Sequence, residues 1–313
     1  MWTYILKRIL LLIPVIIGVS LVTFLMIQIA PGDPVDIMLP EHATSEDVEM
    51  LRDKLGLNEP MHIQYLKYMK NVITFDFGRS IRSGRSVGEE LFGRWPTTIE
   101  LTFLSMIIGA GIGIPIGIIS AVYRSSFLDY SSMMVAILGV CMPSFFIALS
   151  LQLVFSMYLG IFPVFGKAGP IWTMAGFKSM VLPSLSLGIQ SSALLARLTR
   201  SNMLEVLGQD YIRTARAKGL KNRKVITKHA VKNAMIPVIT MFGLQFGYLL
   251  GGAFITETIF ALPGVGRYSI NAIFTRDLPI IQSVALMMAV IFTFANLITD
   301  LIYALLDPRI KYN

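Results

Sequence analysis

The sequence predicts an all-α polytopic membrane protein with six transmembrane helices. Of its 313 residues, 54% are hydrophobic and only 15% are charged, which is more apolar surface than a soluble domain of this size can bury. Uncharged runs recur at close to the roughly 20 residues that a helix needs to cross the hydrocarbon core. A strongly basic segment interrupts these runs once, as expected for a cytosolic loop.

Six uncharged runs supply the predicted spans. They are Ile9 to Ala30, Leu101 to Tyr123, Tyr130 to Gly166, Ser179 to Ala196, Asn233 to Thr256 and Leu278 to Thr299. The third run is long enough for two helices, but two spans would place the basic segment outside, against the positive-inside rule. We therefore expect one tilted helix there, followed by an irregular outer segment.

The first run follows Lys7 and Arg8 directly, so the N-terminus superficially resembles a signal peptide. Because the run is long and lacks a small-residue cleavage pattern, we expect an uncleaved first span. An even number of spans places both termini in the cytosol. Cys141 is the only cysteine, which excludes a disulfide within the chain.

The basic segment, Arg197 to Lys232, contains ten Lys or Arg residues against two acids. Charge of this kind holds a loop on the cytosolic face, so the formal net charge of +8 indicates membrane orientation better than nucleic-acid binding. It is also a natural place to contact a soluble partner.

The middle of the basic segment has a helical pattern broken once. Gln209 to Lys218 is rich in helix formers, and Gly219 can adopt the left-handed conformation that ends a helix. Asn222 can cap a second helix running to about Asn233. We expect two short helices forming a knob that projects from the membrane; a solvated loop would explain the charge but not this pattern.

Residues 31–96 form the longest polar stretch and are predicted to be an external subdomain. Within it, Ser45 to Leu57 has the spacing of a short amphipathic helix, with Ser45 or Thr44 as its cap. Four glycines are expected to keep the following stretch irregular: Gly78, Gly84, Gly88 and Gly93.

The basic segment resembles the cytosolic coupling segment of bacterial ABC importer permeases, whose general pattern is Glu-Ala-Ala, three residues, then Gly. Here Arg213 and Thr214 replace the Glu and the first Ala, while Ala215 and Gly219 match. The form Arg-Thr-Ala-Arg-Ala-Lys-Gly, with His-Ala and Asn-Ala pairs before Pro237, is similar to the peptide and nickel branch of that family.

Four further motifs agree with that branch in the expected order. They are Ala-Pro-Gly-Asp-Pro at 30–34, Trp-Pro-Thr-Thr-Ile-Glu-Leu-Thr at 95–102, Glu-Thr-Ile-Phe-Ala-Leu-Pro-Gly-Val-Gly-Arg at 257–267 and Arg-Asp-Leu-Pro-Ile-Ile-Gln at 276–282. The resemblance covers essentially the whole chain and is closest to the B-type permease subunit of dipeptide and oligopeptide importers.

The resemblance implies a type I ABC importer permease-like fold that forms half of a pathway for short peptides. The implied partners are a homologous second permease subunit (C-type), two ATPase subunits, an extracytoplasmic substrate-binding protein and the lipid bilayer, without nucleic acid. The implied location is the bacterial or archaeal inner or plasma membrane, multi-pass. The chain divides into the N-terminus and first span (1–30), the external subdomain (31–96), the permease core (97–306) with its coupling segment (207–233), and a cytosolic C-terminus (307–313).

Two groups of residues are candidates for contact with those partners. The residues expected to couple to an ATPase subunit are Asp210, Tyr211, Arg213, Thr214, Ala215, Ala217, Lys218, Gly219, His229 and Asn233. The residues expected at the outer mouth or receptor side are Glu257, Arg267, Arg276 and Asp277. Glu100, Glu257 and Asp300 lie at edges of apolar runs, where a carboxylate can reach interfacial water. This position favours a structural role for them, and reception of substrate or receptor at the outer mouth is the alternative for Glu257 and Arg267.

The sequence lacks the residue patterns that nucleotide binding or enzymatic catalysis would require. The closest approach to a phosphate-binding loop, Gly160 with Gly166 and Lys167, is spaced one residue too widely and has Ala168 in place of a hydroxyl. ATP and magnesium are therefore expected on the partner ATPase subunits, with no cofactor, metal site or catalytic residue in this chain. A nickel or metal-chelate importer stays open as an alternative cargo, and a secondary transporter as another class.

Overall fold

The computed structural model describes residues 2–29 and 44–306, and helices account for most of them. In these two ranges the only strand-like pairing is an isolated antiparallel bridge between Arg79 and Ser86. The predicted C-terminal segment 307–313 and the motif at 30–34 lie outside the described residues.

The helices follow one another with short connections. They are α1 (Trp2–Ile29), α2 (Ser45–Leu55), α3 (Met61–Ile73), α4 (Val87–Val122), α5 (Phe127–Cys141), α6 (Ser144–Leu151, extended by a π-helix Gln152–Tyr158), α7 (Met174–Leu207), α8 (Asp210–Ala217), α9 (Asn222–Lys224, extended by a π-helix Val225–Ala230), α10 (Val231–Gly252), α11 (Phe254–Ile259), α12 (Val265–Thr275) and α13 (Leu278–Leu306).

Four continuous helical stretches are long and apolar enough to cross a membrane: those of α4, α7, α9 with α10, and α13. The bent pair α5 and α6 makes a fifth if it counts as one span, and the described apolar part of α1, Leu10–Met26, is shorter. The predicted number of six spans therefore stays a prediction, whereas the all-helical membrane class is confirmed.

The third apolar run differs from the expected single tilted helix. It contains α5 and the α6 helix with its π-helical extension, which meet at an angle of 103°. The break lies at Met142 and Pro143, because a proline forces the preceding residue out of the helical region, and Met142 has φ −71° and ψ 129°. The irregular segment after Tyr158 is confirmed, and its location on the outer side of the membrane stays a prediction.

The polar stretch before α4 is only partly as predicted. The amphipathic helix is confirmed as α2, and Gly78 and Gly84 lie in a loop with φ of +73° and +67°. Gly88 and Gly93 are within α4, which begins at Val87 rather than near Leu101, so their assignment to irregular structure was wrong. Acidic residues in the first turn favour this earlier start.

The chain forms two compact units, residues 1–96 with 267–293 and residues 97–266 with 294–313. In the first unit α3 packs along α1: the Ser20 and Tyr65 hydroxyls are 2.8 Å apart, and Phe24 contacts the rings of Tyr65 and Tyr68. This contact fixes the orientation of α3 beside the first apolar helix.

In the second unit α4 packs against α7 through a stripe of small residues. A Cβ at Gly109, Gly113 or Gly117 would lie within 3.0 Å of atoms of α7. Glycines spaced by four residues line one face of a helix and allow a neighbouring backbone to approach closely. Close helix packing thus explains these three glycines.

Candidate coupling site and outer loops

The helix α8 is seated on the ends of two longer helices through two buried side chains. Ile212 is fully buried and Ala215 is 8% exposed. They belong to one apolar cluster with Met203 of α7 and Val225 and Ala230 of the following π-helix. Because these side chains repeat at a helical interval of three, one face of α8 is buried and the other is available to a partner.

Most of the predicted coupling residues are exposed, five of them on α8 and the others directly after it or at the start of α10. Exposed residues of that set are Asp210, Tyr211, Arg213, Thr214, Ala217, Lys218, Gly219 and Asn233. Arg213 and Asp210 form a loose surface pair at 3.6 Å, with side chains 75% and 96% exposed. Ala215 and His229 are the exceptions: Ala215 contributes to the buried contact under α8, and His229 is half-buried.

A hydrogen bond joins the two ends of the predicted coupling set. The Asn233 side-chain amide donates to the Tyr211 hydroxyl over 2.8 Å and to the His229 carbonyl oxygen over 3.3 Å. His229 is half-buried. The structure therefore brings Tyr211, His229 and Asn233 together, although more than twenty residues separate the first and the last.

The predicted break at Gly219 is confirmed, with φ of +77°. Its N–H donates to the Arg216 carbonyl at 2.9 Å, which closes the end of α8. A groove of about 490 Å³ begins at Gly219 and is lined further by residues of α9 and its extension: Leu220, Lys221, Arg223, Lys224 and Thr227. The left-handed glycine thus shapes a basic groove beside the exposed face of α8.

Two details of the second predicted helix were wrong. Asn222 is the first residue of α9 rather than its cap, and the capping position is Lys221. The helix does not end near Asn233, because α9 continues through Val225–Ala230 into α10 and so forms one stretch that runs into the apolar span. The knob is therefore one short helix resting against the end of a spanning helix.

An ion pair that the sequence pattern did not indicate lies between α5 and α7. The Arg200 guanidinium donates to both carboxylate oxygens of Asp129, over 2.6 and 2.7 Å. The Ser120 hydroxyl and the Ser125 backbone N–H also donate to Asp129, which is 1% exposed. Arg200, one of the ten basic residues of the basic segment, is thus neutralised within the chain. Through Asp129, the second unit gains a connection between α4, α5 and α7.

The predicted outer-mouth residue Glu257 is buried, contrary to the expectation that its carboxylate reaches interfacial water. The Thr98 hydroxyl donates to Glu257 over 2.7 Å and in turn accepts the Val265 N–H over 3.0 Å. A Cβ at Gly264 would overlap the same carboxylate. The cause is the loop after α11, which folds back over Glu257, and its glycines leave room for the carboxyl group.

An ion pair fastens the irregular segment after Tyr158 to the motif at 95–102. Lys167 lies 2.6 Å from the Glu100 carboxylate, with both side chains mostly buried, and the Gly166 N–H donates to the Phe260 carbonyl over 2.8 Å. The motif at 95–102 therefore holds two loops of the second unit, one through Thr98 and one through Glu100.

In the first unit Asp277 is also buried, at 1% exposure. It accepts a hydrogen bond from the Ser80 hydroxyl over 2.6 Å and two longer bonds, of 3.3 Å, from the backbone N–H groups of Ile81 and Arg82. Arg276 beside it is exposed. In this arrangement Asp277 organises a loop of its own chain, and contact of the outer-mouth set with a receptor stays a prediction.

The start of α4 is tied to α12 by an aromatic contact. The Arg94 guanidinium lies 4.4 Å from the centre of the Tyr268 ring and donates to Glu90 over 2.5 Å. Burial, reinforced by the Glu90 charge, raises the pKa of the Tyr268 phenol to about 12. The phenol is therefore neutral at physiological pH.

Within the part of the chain that the structure describes, no group of three or more His, Cys, Asp or Glu side chains lies close enough to hold a metal ion. What the sites offer chemically is an exposed helix face beside a basic groove at one end of α7, and carboxylates buried under loops in each unit.

Comparisons with known families place the chain in a known class. Residues 113–312 match the family of binding-protein-dependent transport system inner membrane components, and residues 1–102 match the N-terminal domain of the same components. The chain belongs to this family. It is an inner membrane component, in agreement with its apolar helices.

Individual relatives extend over the full chain. The dipeptide transport system permease protein DppB of Alkalihalophilus pseudofirmus is 46% identical over the whole of both chains. The glutathione transport system permease protein GsiC of Escherichia coli K12 is 40% identical over the whole of both chains. Inward-facing structures of the MetNI methionine ABC transporter share the fold: one aligns with a TM-score of 0.60 at 15% identity, covering 70% of this chain and 97% of that chain.

Proposed function

We propose that this chain is the permease subunit of an ATP-driven importer of short peptides, forming half of the translocation pathway. The observation that carries the proposal is the 46% identity with a dipeptide permease over the full length of both chains. Its partners are a homologous second permease subunit, two ATPase subunits that supply ATP and magnesium chemistry, and an extracytoplasmic peptide-binding protein. Six spans with both termini in the cytosol complete the proposal.

The exposed face of α8, with the basic groove at Gly219, is the proposed contact with an ATPase subunit. Its support is geometric: Ile212 and Ala215 hold α8 on a packed cluster, so a displacement of α8 moves the ends of α7 and α10 rather than a free loop. Packed elements transmit small shifts because their cores do not deform continuously.

Replacement of Gly219 tests this contact. A proline at this position cannot adopt a φ of +77° and lacks the N–H that bonds to Arg216, so the end of α8 is set wrongly. We expect Gly219→Pro to abolish coupled peptide uptake while the ATPase subunits still hydrolyse ATP. Gly208→Ala is the matched control, since Gly208 precedes α8, has a helical φ of −81° and offers its Cβ an ordinary 3.4 Å contact.

The measurements are uptake of labelled dipeptide and ATP hydrolysis in proteoliposomes containing the assembled transporter. Normal uptake by Gly219→Pro at normal expression would contradict the coupling role. Uptake of nickel without uptake of peptide would show that the cargo is a metal and not a peptide. Transport by the isolated chain without ATPase subunits would refute the importer assignment itself.

A further inference from the structure

A short loop in the first unit presents arginines on a rigid frame. Arg79, Arg82, Arg85 and Arg276 are all exposed. Of these four arginines, only Arg85 forms an ion pair with a described residue, with Glu90 at 3.2 Å, and the Arg85 side chain is still 75% exposed. The result is an exposed, positively charged surface, which we name the arginine loop; it comprises residues 79–86 together with Arg276.

The backbone of the arginine loop is closed by its own hydrogen bonds. The Ser80 N–H donates to the Arg85 carbonyl over 2.9 Å, the Val87 N–H donates to the Gly78 carbonyl over 3.0 Å, and the Ser83 N–H donates to the Ser80 hydroxyl over 3.0 Å. Gly84 supplies the left-handed residue that such a turn requires. The loop therefore has a defined shape.

Asp277 anchors that shape from the interior. Its carboxylate accepts the Ser80 hydroxyl and the N–H groups of Ile81 and Arg82, and it is almost completely buried. A buried carboxylate that accepts several donors of one turn orders the turn before any partner arrives. Pre-ordering of this kind lowers the entropy cost of binding.

Arg276 occupies a position that favours glycine. The helix α12 ends at Thr275, Arg276 follows with φ of +53°, and the Asp277 N–H bonds back to the Ala272 carbonyl over 2.9 Å. This is the geometry of a helix end in which glycine is usual, because the left-handed region is sterically unfavourable for a residue with a Cβ. An arginine is thus present despite a local cost, next to the anchor of the arginine loop.

We infer that the arginine loop is a docking surface for an acidic patch on the extracytoplasmic binding protein, and that Asp277 is its positioning residue. The inference rests on the proposed function, which places residues 31–96 outside. Guanidinium groups pair with carboxylates in a fixed, two-pronged geometry, which matches their presentation on a rigid turn. Anionic lipid headgroups share this chemistry, but attraction to a lipid surface requires no pre-ordered turn.

The test measures binding of the purified binding protein to the complete transporter in phosphatidylcholine nanodiscs. Reversing two charges, Arg79→Glu with Arg82→Glu, is expected to slow association by about tenfold or more at low salt and to remove most of its salt dependence. Lys70→Glu is the control, because Lys70 is an exposed base on α3 of the same unit. It is expected to change association less than twofold.

Arg276→Gly separates docking from stability. Removing the arginine relieves the left-handed backbone, so the melting temperature should stay equal or rise. Affinity for the binding protein should nevertheless fall about threefold to fivefold, the size of one surface charge pair. Asp277→Asn, which keeps the volume but weakens the anchor, should also lower affinity while the ATPase subunits still copurify.

Unchanged affinity in the arginine variants, or an equal loss in Lys70→Glu, would overturn the inference. So would effects that occur only when the nanodiscs contain phosphatidylglycerol, because the occupant would then be lipid. A wild-type chain that retains neither a binding protein nor ATPase subunits would instead refute the proposed function, and the two failures are thereby distinguishable.

Discussion

The contact between α4 and α7 depends on the absence of a side chain at Gly113, so Gly113→Ala tests this packing directly. An added Cβ would overlap the Ser192 carbonyl oxygen and lie 3.0 Å from both the Ser192 Cα and the Leu195 Cβ. Two of these three atoms belong to the backbone. A change of rotamer therefore cannot relieve the overlap, and the two helices have to move apart.

The expected magnitude follows from two opposing effects. Overpacking costs roughly 1–3 kcal/mol, whereas replacing a glycine by alanine inside a helix gains up to about 1 kcal/mol. Gly111 is the matched control on the same helix, because a Cβ there meets nothing within 4 Å. Since both variants share the propensity gain, Gly113→Ala should be about 2 kcal/mol less stable than Gly111→Ala.

The assay is thermal unfolding of the purified full-length chain, supported by the amount of transporter that assembles at equal expression. Gly111→Ala should melt at or above the temperature of the wild-type chain, and Gly113→Ala clearly below it. Equal melting temperatures for the two alanine variants would refute the conclusion that close approach of α4 and α7 is what these glycines provide.

Two other contacts give predictions of the same kind. Arg200→Ala leaves the buried Asp129 carboxylate without its cation and should lower the free energy of unfolding by about 3–5 kcal/mol. Arg200→Lys should retain only part of that stability, because lysine cannot form the two-pronged contact. Equal melting temperatures of Arg200→Ala and the wild type would contradict this prediction. Gly264→Ala pushes a Cβ into the Glu257 carboxylate and should lower the free energy of unfolding by about 1–3 kcal/mol. Gly251→Ala, with nothing within 4 Å of its Cβ, should not. Limited proteolysis should distinguish the two variants, and identical digestion rates would argue against a closed loop over Glu257.

Local patterns were sufficient for features that depend on local chemistry. Helix formers followed by one glycine predicted α8 and its left-handed end at Gly219, and both are confirmed. Amphipathic spacing predicted α2 equally well. The break at Pro143 has a local signal, the proline itself. The prediction of a single helix instead followed from the positive-inside rule applied to the basic segment.

Features that depend on distant residues were not predictable in this way. Nothing in the sequence around Arg200 indicates that it pairs with Asp129, because the two are 71 positions apart. Likewise Glu257 lies at the edge of an apolar run, which predicted contact with water, but its burial is decided by where Thr98 and the glycine loop fold. Burial of a charged group is a property of tertiary packing, and sequence position alone indicates only its distance from the apolar run.

The buried contact under α8 and the Asp129–Arg200 pair together define how a displacement at the proposed coupling site would be transmitted. Met203, which packs under Ile212, and Arg200, which holds Asp129, are one helical turn apart on α7. A push on α8 therefore acts on the part of α7 that is also fixed to α5 by two charge-assisted hydrogen bonds. Because α7 is close-packed against the glycine stripe of α4 as well, it cannot yield by local compression. The proposed coupling role requires a rigid element that contacts several neighbours. The helix α7 has these contacts, and the Asp129–Arg200 pair connects it to α5.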